Sequence, residues 1–334
     1  MAEHRPKVSV IVLNWNGLRF LGACLSSLMN QTSDDYEVIL VDNGSQDESV
    51  EFVRSKFPKV KVIENHRNLG FSEGNNVGIQ HAVGDFIILL NNDTVVRKDF
   101  VEVLESIASS ETTVGSIGCK IIQVEGGAAY GPMFTNMGFV VPWLMGASFS
   151  FSRIERSWTA DGFCLANCGA AVLYRKAALQ VVGGLDPDFW ANWEDHDLGF
   201  RLWVAGYKSY YTTKTYVVHH GAGSFGRVVS VSRFRRIISN TLFTCFKNYE
   251  PRNMLVRFFI FFWFLLPYRT LGATISRIIR NPFSAAPPPV FGLLAYLQVI
   301  RHLPLYMKKR AQVQSLRRTP DSEIFRLTEK KWLL

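Results

Sequence analysis

Apolar and polar residues alternate in blocks along the first part of the chain, and these blocks predict strands and helices in turn. Val8–Leu13 predicts a first strand, and Leu18–Met29 has apolar residues at helical spacing. Glu37–Val41 and Val60–Glu64 predict two more strands, with a helix at Ser49–Lys56 between them. This order predicts parallel strands joined by right-handed crossovers.

The alternation continues after the third strand. Gly70, Gly74 and Gly78 recur at every fourth position and lead into an apolar stretch at Ile79–Val83. Asp85–Leu90 then has the nearly continuous apolar character that is typical of a strand buried on both faces. The pattern as a whole predicts an α/β protein whose parallel sheet is flanked by helices.

Polar residues follow the buried strand directly, as Asn91, Asn92 and Asp93. Open α/β sheets bind their ligands at the carboxyl ends of parallel strands. A carboxylate there offers the hard oxygen that Mg²⁺ or Mn²⁺ prefers when substrate phosphates complete the coordination shell. The alternative is an ordinary polar turn after a core strand, since Asn and Asp are common turn formers.

The second strand also ends in an acidic residue, Asp42. In that position a carboxylate can accept hydrogen bonds from a nucleobase imide or a ribose hydroxyl. Its alternative role is to cap the next helix, but Ser45 and Asp47 are better placed to do so. We therefore expect Asp42 to bind a nucleoside.

Arg67 and the glycines after it form another candidate site. Arg67 could bind a diphosphate. Gly70 would let the start of a helix approach a ligand closely. Tight packing of the helix explains the glycines nearly as well. The turn from Asn14 to Gly17 lacks the GxGxxG spacing of a dinucleotide fingerprint, which disfavours a nicotinamide enzyme.

An acidic cluster begins at Glu194. Leu198 and Leu202 predict a helix here, which would place Glu194 and Asp195 at its positive end and pair Asp197 with Arg201. A carboxylate held at a helix start beside tryptophans is a candidate general base. The alternative is that an acidic first turn simply stabilises the helix.

Two histidines, His219 and His220, follow a predicted strand at Tyr207–Val218. A neutral imidazole is a common metal ligand, and with Asp93 it would complete an Mn²⁺ site. A core or surface histidine is the more common explanation for either residue alone. Spacing does not choose between them, and His220, next to a glycine-rich loop, is preferred.

Charge divides the chain into two parts. The chain has 334 residues and a net charge of +9, but residues 227–334 hold 19 Lys and Arg against 4 Asp and Glu. This part also contains apolar runs, including the aromatic-rich segment Phe258–Phe264. The combination favours an anionic membrane surface over nucleic acid as a partner. We predict a catalytic domain at 1–226 and a basic, amphipathic, helical membrane-associating region at 227–334.

The apolar run Leu255–Pro267 covers about 13 residues, whereas a membrane-spanning helix needs about 20. We therefore expect this region to lie in the membrane interface, as a peripheral or monotopic anchor on the cytoplasmic face. A helix in a protein core is the alternative. Five cysteines without CxxC spacing predict neither a disulfide framework nor a zinc ribbon.

Taken together, the motifs resemble those of family 2 glycosyltransferases, particularly the bacterial rhamnosyltransferase-like members. The segments that carry the resemblance are Val8–Asn16, Val41–Ser45, Arg67–Phe71, Asn91–Asp93, Gly183–Asp186 and Glu194–Leu198. They occur in the family's order within about residues 7–226. The tail also looks like the family's C-terminal ending, at Lys309, Arg310, Gln314 and Asp321–Ile324.

The resemblance implies a GT-A fold, in which a mixed, mostly parallel sheet is flanked by helices. It also implies a nucleotide-diphosphate sugar donor, a divalent cation (Mg²⁺ or Mn²⁺) and inversion at the anomeric carbon. Asp195 would be the general base, with Glu194 orienting the base or the acceptor. The candidate donor-binding residues are Asn14, Asn16, Asp42, Asn43, Arg67, Gly70, Asn76 and Asn92. The candidate metal ligands are Asp93, at the metal-binding end of the family's DxD motif, and His220.

This chain departs from that motif because Asn91 stands where the first carboxylate usually lies, and one anionic ligand binds Mg²⁺ more weakly than two. The resemblance implies dTDP-rhamnose as the first donor to consider, followed by UDP- or GDP-sugars. The implied acceptor is a polyprenyl-linked glycan in cell-surface polysaccharide synthesis.

Two other functions are considered. A sugar-1-phosphate nucleotidyltransferase would normally carry a glycine-rich, basic loop after the first strand, where this chain has Asn14–Gly17. A non-catalytic membrane-bound scaffold of the same fold is the second, and the presence of Asp42, Asp93 and Asp195 argues against it.

Overall fold

The computed structural model describes residues 5–124, 129–130, 160–221, 231–260 and 290–329. Within these ranges ten strands form one sheet. The strands are β1 (Val8–Asn14), β2 (Tyr36–Asp42), β3 (Lys61–Glu64), β4 (Phe86–Asn91), β5 (Thr94–Val96), β6 (Val114–Gln123), β7 (Ala129–Tyr130), β8 (Gly162–Cys164), β9 (Ala171–Arg175) and β10 (Lys208–His219).

Helices flank the sheet and continue beyond it. They are α1 (Leu18–Met29), α2 (Ser49–Lys56), α3 (Gly70–His81), α4 (Phe100–Ser110), α5 (Lys176–Val182), α6 (Glu194–Val204), α7 (Val231–Asn248), α8 (Pro251–Ile260), α9 (Val290–Ser315) and α10 (Asp321–Glu329). A short 3-10 helix at Pro187–Phe189 precedes α6.

The sheet has the order β3-β2-β1-β4-β9-β6-β10-β5, with β7 on β6 and β8 on β10. Pairing is parallel from β3 through β2 and β1 to β4, as the alternation of strands and helices predicts. It is also parallel between β6 and β10, whereas β9 runs antiparallel between β4 and β6. The prediction of a mixed α/β sheet flanked by helices is confirmed.

Alternate side chains of the central strand β1 build two apolar cores. Val10 and Val12 pack with helices α1 and α4 on one face of the sheet. Ile11, between them in sequence, belongs to the opposite cluster with residues of α5 and α6. Because successive side chains of a strand point to opposite faces, a continuous apolar run is the sequence of a strand covered on both sides.

The C-terminal helices pack directly on α6. Phe200 and Val204 of α6 share an apolar cluster with Tyr249, Val313 and Ile324. The predicted division at residue 226 falls within 222–230, outside the described residues, and remains a prediction. Of the aromatic segment Phe258–Phe264, the structure describes only the backbone of the first three residues, at the end of α8.

Buried charges accompany this packing. The Lys247 ammonium of α7, which is 2% exposed, lies 2.6 Å from an Asp186 carboxylate oxygen and 2.9 Å from one of Asp197. Lys309 of α9 pairs with Asp186 from the other side. Burial raises the pKa of Asp186, but the two ammonium groups outweigh it and hold the pKa below its usual range.

The last carbonyls of α7 find donors on α9 and just beyond it. Arg310 donates to the Phe246 and Tyr249 oxygens, and Gln314 donates to those of Lys247 and Asn248. A helix leaves its last four carbonyls without partners in the helix, and basic side chains near that end satisfy them favourably. Arg310 and Gln314, which belong to the tail segment that resembles the family's C-terminal ending, therefore cap the C-terminus of α7.

All five cysteines are free thiols. Among the helices that the structure describes, none has both the length and the apolar character needed to cross a bilayer.

We expect Lys247→Met to lower the free energy of unfolding by about 3–5 kcal/mol at pH 7, because it leaves two buried carboxylates without their shared cation. The matched control is Arg5→Met, which removes an exposed pair with Asp85 and should cost no more than about 1 kcal/mol. Urea denaturation measures both.

The difference between wild type and Lys247→Met should shrink on acidification. The lowered pKa of Asp186 means that its contribution is present above the unfolded-state pKa of about 3.9 and is lost as pH falls through the folded-state value. Equal urea midpoints for the two variants at pH 7 would contradict the role given to Lys247.

Candidate active site

Three strand ends meet at the carboxyl edge of the parallel half of the sheet. Asn14 of β1 lies in register with Asp42 of β2, and Leu13 lies in register with Asn91 of β4. The buried Asn14 amide donates to Asp42 Oδ1 at 3.1 Å and accepts from Asn92 Nδ2 at 2.7 Å. One carboxamide thus joins the end of β2 to the loop after β4.

The turn after β1 fits closely around this amide. A Cβ atom on Gly17 would lie 2.0 Å from Asn92 Nδ2 and 2.4 Å from Asn14 Oδ1, so the position needs glycine. Asn16, with a φ of 51°, accepts a hydrogen bond from the Gln46 backbone N–H at 2.7 Å. The Asn16 side chain therefore joins the loops after β1 and β2.

Asp42 is surrounded by donors. Its Oδ1 accepts from Asn14 and from the Ser45 hydroxyl, and its Oδ2 accepts from the backbone N–H groups of Gly44 and Ser45. A carboxylate offers about four acceptor positions, and all four are used. The carboxylate would bind a nucleobase only if one of these donors gave way.

Asn43 holds the loop between β3 and α3. Its amide donates to Asn68 Oδ1 and the Gly70 oxygen, and its oxygen accepts from Asn65 and the Leu69 backbone N–H. The hydrogen-bonding capacity of the Asn43 side chain is taken up by the loop, and its expected contact with the donor remains a prediction.

Asn76 is a second candidate whose side chain binds backbone groups, and its expected contact with the donor remains a prediction. Its amide donates to the Leu185 oxygen at 2.8 Å and its oxygen accepts from the Leu185 N–H at 3.0 Å. Asn76 therefore fastens α3 to the segment that precedes the acidic cluster, and its side chain is occupied by that backbone.

Gly70 is required by an aromatic ring. It has a φ of +82°, and a Cβ atom there would lie 2.6 Å from Cδ1 of the Trp190 indole. Gly74 and Gly78 likewise leave room for side chains of β1. Close packing thus accounts for all three glycines, and the donor-binding role expected of Gly70 remains a prediction.

Arg67 remains available for a ligand. Its side chain is exposed and forms no hydrogen bond or ion pair with the residues that the structure describes. Its backbone lies against Gly44, where a Cβ would be 2.7 Å away, so the loops after β2 and β3 touch at this point.

His219, rather than His220, faces Asp93. His219 Nε2 lies 3.0 Å from Asp93 Oδ1 and 3.4 Å from the Asn91 amide nitrogen. The His220 ring instead packs on Phe20 at 5.4 Å between centroids. The preference for His220 as a metal ligand remains a prediction, and the geometry favours His219, the last residue of β10.

The donor set around Asp93 can be compared with the needs of a divalent cation. Asp93 and His219 bring one carboxylate and one imidazole nitrogen to the same point. Within the described part of the chain, no three His, Cys, Asp or Glu side chains are grouped as metal ligands. Two protein ligands fit an ion whose other positions are filled by water and substrate phosphate oxygens.

A strained turn leads into α6. Trp190, Asn192 and Trp193 have φ angles of 59°, 69° and 77°. Non-glycine residues in this region cost on the order of 1–3 kcal/mol each and tend to occur at functional sites. The buried side-chain amide of Asn240, on α7, donates to carbonyl oxygens of this turn.

Asp195 lies at the start of α6, as predicted. Its Oδ1 accepts from the backbone N–H and from Nδ1 of His196, and its Oδ2 accepts from the Gly169 N–H at 3.1 Å. Burial raises the pKa of Asp195, but the hydrogen bonds and charge of His196 and the Gly169 hydrogen bond outweigh burial and lower it. The predicted pair of Asp197 with Arg201 is also present, at 2.8 Å.

Glu194 has the opposite character. Burial and then the charge of Asp195 raise the pKa of Glu194 well above its usual value. Its Oε2 is buried and has no hydrogen-bond partner among the described residues. Neighbouring carboxyls with pKa values shifted in opposite directions are typical of acid–base sites.

The backbone of Gly169 and Ala170 connects Asp195 to the strand ends. The Gly169 N–H donates to Asp195, and the Ala170 oxygen accepts from the Asn91 N–H at 2.9 Å. The Asn14 amide joins the other side of the same edge. The three candidate aspartates therefore surround one edge of the sheet.

Comparison with known families identifies this arrangement. The model of the family described as "Glycosyl transferase family 2" matches residues 9–183, more than half of the chain. The chain belongs to glycosyl transferase family 2. It is therefore a glycosyltransferase and not a sugar-1-phosphate nucleotidyltransferase. The matched residues include Asp42 and Asp93 and end before Glu194.

The glycosyltransferase is also similar to a rhamnosyltransferase. It is 28% identical over 244 residues to the N-acetylglucosaminyl-diphospho-decaprenol L-rhamnosyltransferase of Mycobacterium tuberculosis. The match covers 65% of this chain and 77% of the relative. The rhamnosyltransferase-like character inferred from the motifs is confirmed.

Two solved structures share its fold. The mannosyltransferase PcManGT from Pyrobaculum calidifontis, in complex with GDP-Man and Mn²⁺, matches with a TM-score of 0.57 and 16% identity over 94% of this chain and 86% of that one. TarS from S. aureus, in complex with UDP, matches with a TM-score of 0.54 and 16% identity over 98% and 91%. The glycosyltransferase therefore has the GT-A arrangement of a mixed sheet with flanking helices.

Sequence reasoning missed several residues that organise this edge of the sheet. The bridge from Asn14 to Asn92 was not foreseen, although both were candidates for donor contact. His196 was passed over, yet it stacks on Trp193 at 4.1 Å and binds Asp195. No local pattern in the sequence indicates a role for Asn240, because it lies about 50 positions away from the turn that it contacts.

Proposed function

We propose that this glycosyltransferase moves a sugar, with L-rhamnose as the first candidate, from a nucleotide-diphosphate sugar to a hydroxyl of a lipid-linked glycan, with inversion at the anomeric carbon. The observation that carries the proposal is a set of hydrogen bonds at one sheet edge. They link Asp42 through Asn14 to Asn92, next to Asp93, and Asp195 to Gly169, next to Ala170, whose oxygen binds the Asn91 N–H. The printed name of the mycobacterial relative supports the sugar and the acceptor class.

Asp195 is the proposed general base. Its lowered pKa keeps it ionised at neutral pH, and its Oδ2 accepts one hydrogen bond from the described residues, which leaves an acceptor position for a hydroxyl. The hydroxyl oxygen attacks the anomeric carbon from the face opposite the diphosphate. The bond from that carbon to the diphosphate oxygen breaks as the new bond forms, and the hydroxyl proton passes to Asp195.

Glu194 is the proposed orienting residue. Its raised pKa keeps a proton on the carboxyl to higher pH than usual, so it can donate a hydrogen bond to the acceptor and adds no second charge beside Asp195. The exposed Arg67 guanidinium is placed to bind the diphosphate, because arginine recognises phosphate with two parallel hydrogen bonds.

Asp93 and His219 are the proposed ligands of a divalent cation. When bound, such an ion would offset the negative charge of the departing diphosphate. A carboxylate oxygen suits either Mg²⁺ or Mn²⁺, and the imidazole nitrogen favours Mn²⁺. The complex of the similar mannosyltransferase with Mn²⁺ supports this choice.

Helix α9 supports the proposed association with the cytoplasmic face of the membrane. Leu297, Ile300, Leu303 and Met307 are exposed large apolar residues spaced by three or four positions, so they share one side of the helix. The exposed Arg301 and Lys308 lie beside them. An apolar stripe with basic neighbours fits an anionic bilayer, and the net charge of +15 over 227–334 favours the same partner.

We expect Asp195→Asn to lower transfer about 100-fold or more, because the base is lost while the side chain keeps its shape. The matched control is Glu194→Gln, which stays neutral and hydrogen-bonding and should retain most activity. Transfer is measured with a panel of dTDP-, UDP- and GDP-sugars and a lipid-linked acceptor, with circular dichroism to check the fold. Normal transfer by a folded Asp195→Asn protein would remove the base assignment.

The metal proposal predicts different results for neighbouring histidines. His219→Ala and Asp93→Ala should weaken Mn²⁺ binding about 10-fold or more, since each removes one of two protein ligands. His220→Ala should bind Mn²⁺ as wild type does. Titration of Mn²⁺ by electron paramagnetic resonance in the presence of nucleoside diphosphate measures this. A stronger effect at His220 than at His219 would overturn the assignment.

For the membrane proposal, Ile300→Asp should reduce binding to phosphatidylglycerol vesicles at least about 10-fold, because an apolar contact is replaced by a repelled charge. Val181→Asp, at an exposed apolar residue on α5, is the control. Substitution is a cleaner test than deletion of residues 227–334, which would remove Lys247 from its buried carboxylates. Equal vesicle sedimentation of Ile300→Asp and wild type would contradict the proposal.

A further inference from the structure

We propose that Asn240 is a positioning residue that holds the turn before α6 and thereby sets the orientation of Asp195. The inference rests on the proposed role of Asp195 as the base. Asn240 lies on α7, in the C-terminal part of the chain. Among the described residues its side chain bonds to the turn, and it forms no hydrogen bond with Asp195 or the strand ends.

One side-chain amide serves three backbone oxygens. Asn240 Nδ2 lies 2.7 Å from the Asn192 oxygen, 3.1 Å from the Phe189 oxygen and 3.3 Å from the Ala191 oxygen. Asn240 is 2% exposed, so water does not replace these bonds easily. An amide nitrogen carries two hydrogens, and here they are shared among carbonyls that converge on one point.

The carbonyls converge because the backbone is held in an unusual conformation. Trp190, Asn192 and Trp193 all lie in the left-handed region without being glycine. Such conformations persist only where the surroundings determine them strongly. The amide nitrogen of Asn240 donates hydrogen bonds to the carbonyl oxygens that this backbone conformation directs toward α7.

Aromatic contacts hold the two ends of the turn. The Trp190 ring lies between Gly70 and the Arg236 guanidinium, which is 4.3 Å from the ring centroid. Trp193 stacks on His196 of α6. The carbonyls of Ala191 and Asn192 lie between these two aromatic residues, and Asn240 contacts both.

Helix α7 is itself held firmly relative to the turn. Lys247, two turns beyond Asn240, pairs with Asp186 on one side of the turn and with Asp197 on the other. Asn248 also donates to Asp197, at 2.9 Å. The amide of Asn240 is therefore presented by a rigid element, as precise positioning requires.

The turn controls Asp195 because it is joined directly to the first residues of α6. Asn192 precedes Asp195 by three positions, so the turn fixes where the helix start places Asp195 relative to its partners Gly169 and His196. A shift of the helix start would misalign the carboxylate with the attacking hydroxyl. A displacement of about 1 Å at a reacting group can lower the rate about 100-fold.

The test is Asn240→Ala together with the isosteric Asn240→Asp, both in the full-length protein. We expect kcat for sugar transfer to fall about 10- to 100-fold while KM for the nucleotide sugar stays within about threefold. Backbone amides of 190–195 should exchange with deuterium faster in both variants. A loss of folded protein alone would also lower the apparent kcat at constant KM, so kcat is normalised to the folded fraction measured by circular dichroism. Such a loss would speed exchange throughout the chain rather than in 190–195.

Two control variants keep the test specific. Asn253→Ala removes a buried amide bond to Asp321 that is remote from the turn, and Thr244→Val removes a hydroxyl bond to the Asn240 oxygen within α7. Both should leave kcat and the exchange of 190–195 near wild type. A kcat for Asn240→Ala equal to that of Asn253→Ala, or unchanged exchange in 190–195, would overturn the proposal.

Combining Asn240→Ala with Asp195→Asn separates this proposal from the proposed function. If Asn240 acts through Asp195, the substitution should have little further effect on the residual transfer of Asp195→Asn. If Asn240→Ala lowers transfer by the same factor in Asp195→Asn as in wild type, Asn240 does not act through Asp195 and has only a general structural role. Should Asp195→Asn prove fully active, the base assignment fails, while the exchange measurement still decides whether Asn240 holds the turn.

Discussion

The ammonium group of Lys247, buried between the carboxylates of Asp186 and Asp197, is the interaction on which the arrangement of the site depends. Both carboxylates flank the turn and helix that carry Glu194 and Asp195, and neither is exposed to water that could solvate its charge. The cation supplied by α7, together with Lys309 and Arg201, therefore stabilises this layer. The C-terminal helices are structural parts of the candidate active site, in addition to any role at a membrane surface.

The strand ends are organised by neutral amides. Asn14 passes a hydrogen-bonded connection from Asp42 to Asn92, and Asn91 takes the place of a carboxylate beside Asp93. Amides can donate and accept at once, so they join acidic groups without adding charge. The edge thus carries few negative charges before a nucleotide diphosphate arrives, which lowers repulsion toward an anionic donor.

Much of the fold follows from local patterns in the sequence, since the apolar run of β1 and the spacing of α1 and α2 are set by periodicity. The pair of Asp197 with Arg201 was predictable for the same reason, because residues four apart meet on one face of a helix. His219 and His220 could not be separated, because the choice depends on how β10 pairs with β5. The loop-holding roles of Asn43 and Asn76 depend on backbone groups far away in sequence, which no local pattern reveals.

The match to the family model ends at Gly183, and Arg201 donates to the carbonyl oxygens of Val182 and Gly183 from within α6. The segment that matches the family model is therefore hydrogen-bonded to α6, the helix that follows it. Helix α6 is bonded in turn to α7. Recombination between relatives at this boundary would break these contacts. Chimeras made to exchange sugar specificity should therefore take α6, α7 and α9 from one parent, because Arg310 and Gln314 of α9 also bind the last carbonyls of α7.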